Sequence, residues 1–424
     1  MARSLDWHTL VHNLPGLAVL ALAAGAGIWA TRRFVAPARQ IASVRLLFVF
    51  IVYYAVAGQA LTSYMQDFAF AGDDPDLGLE ALVRGTAEQP YVYRRLAPDI
   101  VHALSAFAAR TLPERVQIKM ERQSHVKRLA FPGDTSRQFR FPGDTIPTWA
   151  RPPESWNRQK ALDFHAAYAF EFVCFFLTLW VARAFTRSLF PEAPLFADVA
   201  PVVMLILRMY SQPWMMYDAS ETLLVFASAL CITRMRIWAH LPIFMLAVFN
   251  KESNVLLAPV ALVALYGFVP RRRWVAAGVA HLVIGGAMLA WVYHAYAHNP
   301  GGHVQNHLTE NIAFWSNARN YFRFEDVFAP AIRSPVGANP LLMIPALALV
   351  AAGWAPSPSI IRRMFVTSLG LAAPLLLLFG AGDEFRNLSL AYAAFYAMCC
   401  FGIRRWYPRP VAGLPDEAPC PHAR

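Results

Sequence analysis

Charged residues are scarce in this 424-residue chain: they make up 15% of it, whereas soluble globular proteins carry about 25%. Hydrophobic residues make up 57%, and they form blocks separated by arginine-rich or Pro/Gly-rich joints. This composition excludes a soluble enzyme, a disordered chain and a fibrous protein. Because a spanning helix needs roughly 20 apolar residues, the sequence predicts an all-α polytopic membrane protein.

Cysteine and the common cofactor motifs are also scarce or missing. The five cysteines include no CxxC pair, and four of them lie in apolar blocks, so neither a disulfide framework nor a cysteine metal site is expected. The chain has no Walker loop, Gly-rich dinucleotide turn, HExxH motif or GxSxG elbow. A nucleotide site is therefore not predicted, and the chemistry must come from the few polar residues.

Eleven apolar blocks are candidate spanning helices. They lie near residues 14–31, 46–64, 162–184, 196–211, 218–233, 238–250, 254–269, 275–296, 340–354, 364–380 and 387–403. The prediction divides the chain into four parts. These are an N-terminal helix with a basic loop (1–45), a core that includes the long outer loop 65–161 (46–296), a second outer loop (297–339), and C-terminal helices with a basic tail (340–424).

Arginine clusters occupy every second joint between these blocks. They lie in segments 32–45, 183–187, 234–236, 271–273, 362–363 and 404–409. Because basic residues favour cytoplasmic loops, the alternation predicts an outer N-terminus and an inner C-terminus in a bacterial inner membrane. The net charge of +11 then reflects topology and attraction to membrane lipids, and nucleic acid is not an expected partner.

Three carboxylates, Asp73, Asp74 and Asp76, follow the second predicted span. Repulsion between neighbouring carboxylates raises one pKa toward neutrality, which suits a general base. Their oxygens also suit a hard divalent cation, Mg²⁺ or Mn²⁺, at Asp74 and Asp76. The alternative is a solvated acidic turn, since glycine, aspartate and proline are common turn residues.

An aromatic and basic segment comes next. Tyr93, Arg94 and Arg95 precede a stretch whose apolar residues, at 96, 100, 101, 104 and 107, have the spacing of one helical face. We expect an amphipathic helix lying in the membrane interface. The arginine pair would clamp a lipid phosphate by bidentate contacts or, as the simpler alternative, contact headgroups.

The later outer turns supply further candidate substrate-binding residues. These are Asp218, Lys251, Glu252, His303, His307, Glu384 and Arg386. Lys251 and Glu252 can also neutralise each other as neighbours. His303 and His307 have the spacing of a helical metal pair, but no cysteine or nearby carboxylate completes a ligand set, and no metal site is predicted there.

Carboxylates, cations and an interface helix on one outer face suit a substrate that is already activated within the membrane. A polyprenyl-phosphate sugar fits, because cations would stabilise its phosphate leaving group while a carboxylate deprotonates the acceptor hydroxyl.

This organisation resembles the GT-C superfamily of integral membrane glycosyltransferases, in which an aspartate of the first outer loop is the catalytic base or a metal ligand. The matching positions are Asp73, Asp74 and Asp76. The resemblance implies an inverting sugar transfer to a glycan, lipid or protein acceptor. In GT-C enzymes the acidic loop usually follows the first span, so the helix near 14–31 would be an N-terminal addition.

Two other classes stay open at this point. An O-antigen-type polysaccharide polymerase or ligase would rely on His303, His307 and Arg386 rather than on the aspartates. A transporter would need polar residues near mid-membrane, for which Asp163 and Glu171 are the candidates. A continuous polar path through the bundle would favour transport.

Overall fold

The computed structural model describes residues 37–67, 70, 76–122, 157–209, 215–302, 306–326, 333–380, 382 and 384–406. The chain forms two compact units that meet in sequence at Gln59 and Ala60. The described part of the first unit, residues 37–59, is helical. The second unit holds the rest of α1 and all the other elements discussed below. The predicted span at 14–31 lies outside the described residues.

Fourteen α-helices occupy the described residues. They are α1 (Pro37–Asp67), α2 (Leu79–Arg84), α3 (Leu96–Thr111), α4 (Glu114–Arg122), α5 (Arg158–Leu189), α6 (Pro194–Met209), α7 (Asp218–Thr233), α8 (Ile237–Asn250), α9 (Leu257–Leu265), α10 (Arg271–Ala295), α11 (Leu308–Ser316), α12 (Pro340–Trp354), α13 (Ser359–Phe379) and α14 (Tyr392–Trp406). Short 3-10 helices occupy Tyr91–Tyr93, Glu252–Leu256, Ala318–Phe322 and Phe385–Ala391.

The only strands in the described chain form a short antiparallel pair. Strands β1 (Phe324–Asp326) and β2 (Arg333–Pro335) pair with Glu325 opposite Ser334. The prediction of an all-helical architecture is therefore confirmed except for these two strands of three residues each.

Within the described part of the chain, four helices are long and apolar enough to cross a membrane: Ser43–Met65 within α1, and α5, α10 and α13. Helix α10 exposes large apolar side chains, with Leu282 77% and Val283 62% accessible, as expected for a lipid-facing surface. The apolar helices α8 and α12 have 14 and 15 residues, fewer than the roughly 20 that a perpendicular span requires. The predicted total of eleven spans stays a prediction.

The core of the second unit is an apolar cluster contributed mainly by α5, α7, α8, α9, α13 and α14. Phe185, Phe226 and Phe244 are among its fully buried side chains. Because the interiors of these helices are almost entirely apolar, the charged residues collect at helix ends. This arrangement places the start of α7, the end of α8 and the turn before α14 next to one another.

Candidate functional site

Buried and half-buried charged side chains from four distant chain segments meet in one cluster, which we call the charged cluster. Its members are Arg94, Tyr217, Asp218, Glu221, Lys251, Glu252, Glu384, Arg386 and Ser389. The segments are the turn before α3, the start of α7, the junction after α8 and the 3-10 helix before α14. Five of the predicted substrate-binding positions, together with Arg94, thus lie in one place.

Arg94 forms one half of the cluster with Glu252 and Tyr217. Its Nε and Nη2 donate to the two carboxylate oxygens of Glu252 at 3.3 and 3.1 Å, which is the bidentate geometry that guanidinium groups favour. Its Nη1 donates to the Tyr217 hydroxyl, and the guanidinium also lies 4.7 Å from the centroid of that ring. Arg94 is therefore fixed between α7 and the start of the 3-10 helix at Glu252.

Arg386 forms the other half. Its Nη1 lies 3.5 Å from Asp218 Oδ2, and its Nη2 donates to Glu384 at 3.3 Å. Asp218 also accepts a hydrogen bond from the Met215 backbone N–H at 3.0 Å, which holds the start of α7 in place. Carboxylates in the first turn of a helix are favoured by the helix dipole, and Asp218 and Glu221 both occupy that turn of α7.

Lys251 and Glu221 tie the cluster to α7 and to the turn before α14. Lys251 Nζ donates to Glu221 Oε2 at 3.1 Å, and the Ser389 hydroxyl donates to Glu221 Oε1 at 2.6 Å. Both oxygens of this fully buried carboxylate are thus bonded, which offsets the cost of removing the charge from water. Asn250 adds a hydrogen bond from its Nδ2 to the Tyr217 carbonyl at 3.0 Å.

Burial and pairing shift several pKa values in the cluster. Burial would lower the pKa of Arg94, but Glu252 and Tyr217 raise it well above its ordinary value. Burial would likewise lower the pKa of Arg386, and Asp218 and Glu384 raise it instead. Conversely, burial would raise the pKa of Glu252, and the Arg94 charge with its hydrogen bonds brings it below the ordinary value. At neutral pH these three groups are charged.

The carboxylates of the charged cluster differ in how much of each side chain solvent can reach. The side chains of Asp218 and Glu221 are 0% and 1% exposed, whereas those of Glu252 and Glu384 are 21% and 15% exposed. A ligand would therefore meet the Glu252 and Glu384 carboxylates first, with Arg94 and Arg386 directly behind them. Guanidiniums that bind carboxylates in this way can also bind phosphate oxygens.

Two of the predicted residues, Arg95 and Tyr93, make their contacts with side chains or carbonyls that are not members of the charged cluster. Arg95 donates to the Leu82 carbonyl at 2.6 Å and pairs with Asp99. Tyr93 packs edge-on against Tyr293, with ring centroids 4.7 Å apart. The two arginines therefore do not act as a pair on one phosphate: they diverge because one side chain enters the cluster and the other ties α2 to α3.

His307 also lies in a separate contact. Its Nδ1 is 2.7 Å from Glu310 Oε2, and its backbone N–H donates to the Leu378 carbonyl.

Asp73, Asp74 and His303 lie outside the described residues. The described neighbours of the acidic segment contact the region of the site. Phe70 packs on Tyr64 with ring centroids 5.6 Å apart, and Tyr64 lies within electrostatic reach of Asp218. The carbonyl of Asp76, whose side chain is exposed, accepts from the backbone N–H of Glu88, in the segment that leads to Arg94.

Among the described residues, no three His, Cys, Asp or Glu side chains form a group that could hold a metal ion. Asp74 is outside that part of the chain, so a divalent cation at Asp74 and Asp76 stays a prediction.

The site residues predicted from the sequence do not include Tyr217, Glu221 or Ser389. Glu221 stands three residues after Asp218, which puts both on the first helical turn, and this spacing was a usable signal. Ser389 gave no such signal in the sequence, because serines are common in apolar segments.

A second buried polar chain lies at the other ends of α7 and α8. The Ser228 hydroxyl is 2.7 Å from His240 Nε2, and His240 Nδ1 is 2.8 Å from His281 Nε2. His281 Nδ1 bonds the Ala277 carbonyl at 2.7 Å. Because a carbonyl only accepts, His281 Nδ1 carries hydrogen, and the neutral chain runs in one direction from Ser228 to Ala277.

The charged cluster has the chemistry of a ligand site: reachable carboxylates backed by fixed guanidiniums, at the ends of membrane-type helices. No protein-family model, curated protein or solved structure matches this chain, so its function must be inferred from the chemistry of its residues.

Proposed function

We propose that the chain is a membrane glycosyltransferase that moves a sugar from a polyprenyl-phosphate donor to a glycan, lipid or protein acceptor at the outer face. The observation that carries the proposal is the convergence of Arg94 and Arg386 with the reachable carboxylates of Glu252 and Glu384. A soluble donor would need a nucleotide site, for which the sequence has no motif.

The guanidiniums would receive the donor phosphate. Three of the five N–H donors of Arg94 are used within the described residues, so two can bind an incoming oxygen without breaking a bond. Arg386 now donates to the Glu384 carboxylate at 3.3 Å. It would bind the same phosphate by releasing that carboxylate and donating to a phosphate oxygen instead. Both cations would then offset the charge that develops on the leaving phosphate.

An aspartate of the first outer loop, Asp73, Asp74 or Asp76, would take the proton of the acceptor hydroxyl. The acceptor oxygen then attacks the anomeric carbon opposite the phosphate, the bond between that carbon and the phosphate oxygen breaks, and its electron pair leaves with the polyprenyl phosphate. The product has inverted configuration. A divalent cation at Asp74 and Asp76, if bound, would add further stabilisation of the phosphate.

The test is sugar transfer by the purified full-length chain in vesicles that contain candidate polyprenyl-phosphate sugars. Removing the general base should lower the rate about 100-fold or more, so one of Asp73→Asn, Asp74→Asn and Asp76→Asn should show this loss while membrane insertion is unchanged. Glu310→Gln is the matched control, because Glu310 is an exposed outer carboxylate bonded to His307. Full activity in all three aspartate variants would contradict the mechanism.

The polymerase alternative predicts a different pattern. It requires His303 and His307 to act with Arg386, but His307 pairs with Glu310 and Arg386 with Asp218 and Glu384. A variant set in which His307→Ala abolishes transfer while the aspartate variants stay active would favour that reading.

A further inference from the structure

A second surface feature lies on the far part of α3, away from the charged cluster. It is a groove of about 290 Å³ between α2, α3 and α5, lined by Val83, Arg84, His102, Ala106, Ala109, Arg110, Gln159 and Asp163. Ala106 lies ten residues from Leu96 at the cluster end of α3, which is about 15 Å along the helix. The groove is therefore distinct from the charged cluster.

Helical spacing explains how the groove is built. His102, Ala106, Ala109 and Arg110 follow one another at intervals of four, three and one residues, which places them along one face of α3. The neighbouring face, with Val101 and Ser105, is buried. Small alanines thus form an apolar floor, and the basic side chains stand at its edges.

The charges around the groove favour an anion. Arg84, Arg110 and His102 supply basic groups, and Asp163, the one carboxylate of the lining, already accepts from Gln159 at 2.9 Å. Glu80, the ion-pair partner of Arg84, is shared with Lys160, and both Nη2–Oε1 and Nζ–Oε2 distances are 2.8 Å. Because Arg84 and Lys160 share the single negative charge of Glu80, this group of three side chains has a net positive charge beside the groove.

The position relative to the membrane points to a lipid. Gln159 and Asp163 occupy the first two turns of α5, a helix of 32 residues, about 48 Å long. Because a bilayer's hydrocarbon core is about 30 Å thick, the ends of α5 reach the headgroup zone. On α3, Leu104 and Phe107 are 42% and 65% exposed, which suits insertion among acyl chains.

We propose that this groove binds the phosphate headgroup of an anionic phospholipid, with the glycerol and upper acyl chain lying on Val83 and the alanines. Its volume is at the lower end of the range for small-ligand pockets, which fits a headgroup rather than a whole lipid. The site is independent of sugar transfer. Arg84 and Arg110 are its main anion contacts.

The experiment uses the purified full-length chain in phosphatidylcholine vesicles that contain a minor fraction of photoactivatable phosphatidylglycerol. Cross-links should map to the segments 83–110 and 159–163. The variant Arg84→Gln/Arg110→Gln should lower this labelling by more than tenfold, since each charge near the surface contributes about fivefold. The control Arg115→Gln/Lys119→Gln removes two exposed basic residues of α4 and should leave the labelling unchanged.

Other outcomes would overturn the proposal. Equal labelling of the Arg84→Gln/Arg110→Gln variant and the unmodified chain would show that these arginines bind no headgroup. Equal labelling by a photoactivatable phosphatidylcholine would show an apolar contact without charge selection. Complete competition by inorganic phosphate at physiological ionic strength would assign the groove to a free anion. Because both arginines are surface residues, a normal thermal midpoint should accompany the loss of labelling, and a lowered midpoint would count against a binding role.

Discussion

At the scale of single residues, the charged cluster depends on exact pairing between cations and carboxylates. The Arg94 and Glu252 side chains are 11% and 21% exposed and share two hydrogen bonds. Removing one partner from a buried pair leaves the other charge uncompensated, which costs about 3–5 kcal/mol when burial is complete. Partial exposure reduces this, so we expect Arg94→Gln to lower the free energy of unfolding by about 2 kcal/mol.

A double-mutant cycle measures this coupling. The variant Arg94→Gln/Glu252→Gln should be more stable than the sum of the single losses predicts, with a coupling energy of about 1 kcal/mol or more. The control is Arg158→Gln, which breaks exposed ion pairs to Glu114 and Glu121 and should change stability by less than about 0.5 kcal/mol. Additive losses at 94 and 252 would show that the pair is not coupled.

The same pair should make stability depend on pH. Because Arg94 holds the pKa of Glu252 below its ordinary value in the folded chain, the stabilisation is complete above the ordinary carboxyl pKa and is lost as pH falls through the lowered folded value. Thermal unfolding against pH should therefore show the unmodified chain losing its advantage over Glu252→Gln in acid. An advantage that stays constant or grows at low pH would contradict the assignment.

The sequence indicated which ionisable residues lie near helix ends, but not in which direction their side chains point. Clusters of ionisable residues at predicted helix ends pointed to Arg94, Asp218, Lys251 and Arg386, because such residues are costly there without partners. Neighbours in sequence share that signal, and Arg95 in the same turn faces the Leu82 carbonyl instead. Which of two adjacent side chains enters a site depends on tertiary contacts that a pattern does not contain.

At the scale of elements, the packing of α12 against α14 depends on two glycines. A Cβ at Gly353 would lie far inside van der Waals contact with the Met398 carbonyl oxygen, and a Cβ at Gly402 would meet the Leu349 carbonyl oxygen in the same way. These obstacles are backbone atoms, so they cannot rotate away as a side chain can. Small residues at such positions let two membrane helices approach closely.

Alanine substitution tests this contact. Gly353→Ala and Gly402→Ala should each lower the thermal midpoint, because α12 and α14 must separate to admit a methyl group. Gly370→Ala in α13 is the matched control: beyond the adjoining backbone of α13, no atom of the described residues lies within 4 Å of its Cβ position, and alanine favours a helix by about 1 kcal/mol over glycine. The thermal midpoint of the Gly370→Ala variant should therefore stay level or rise. A fall at Gly370 equal to those at the other two glycines would contradict the packing explanation.

Helix positions were predictable because apolar blocks with polar ends leave little choice of boundaries. The predicted segments 218–233 and 340–354 coincide with α7 and α12. The predictions at 254–269 and 387–403 missed that each helix is preceded by a 3-10 turn, Glu252–Leu256 and Phe385–Ala391. The second of these turns brings Arg386 and Ser389 to buried carboxylates. Helices apolar on all sides carry no period that reveals such a change.

At the scale of the whole molecule, α7 and α8 each carry buried polar residues at two separate levels, the charged cluster and the histidine chain, which is formed by Ser228, His240 and His281. On α7, Ser228 lies seven positions after Glu221, about 10 Å along the helix. On α8, Asn250 lies ten positions after His240, about 15 Å. Between these levels, Val225, Phe244 and Ala247 belong to the apolar core. A transporter would need polar groups through this layer.

This separation predicts that the chain does not conduct protons. Vesicles containing the purified protein and an internal pH dye should lose an imposed proton gradient no faster than empty vesicles, because apolar core residues separate Glu221 from Ser228 along α7. Sugar transfer should continue at the same rate after an ionophore has collapsed the gradient. A proton flux above that of empty vesicles that disappears in His240→Leu would instead join the histidine chain to the charged cluster in one pathway, and would favour transport over glycosyl transfer.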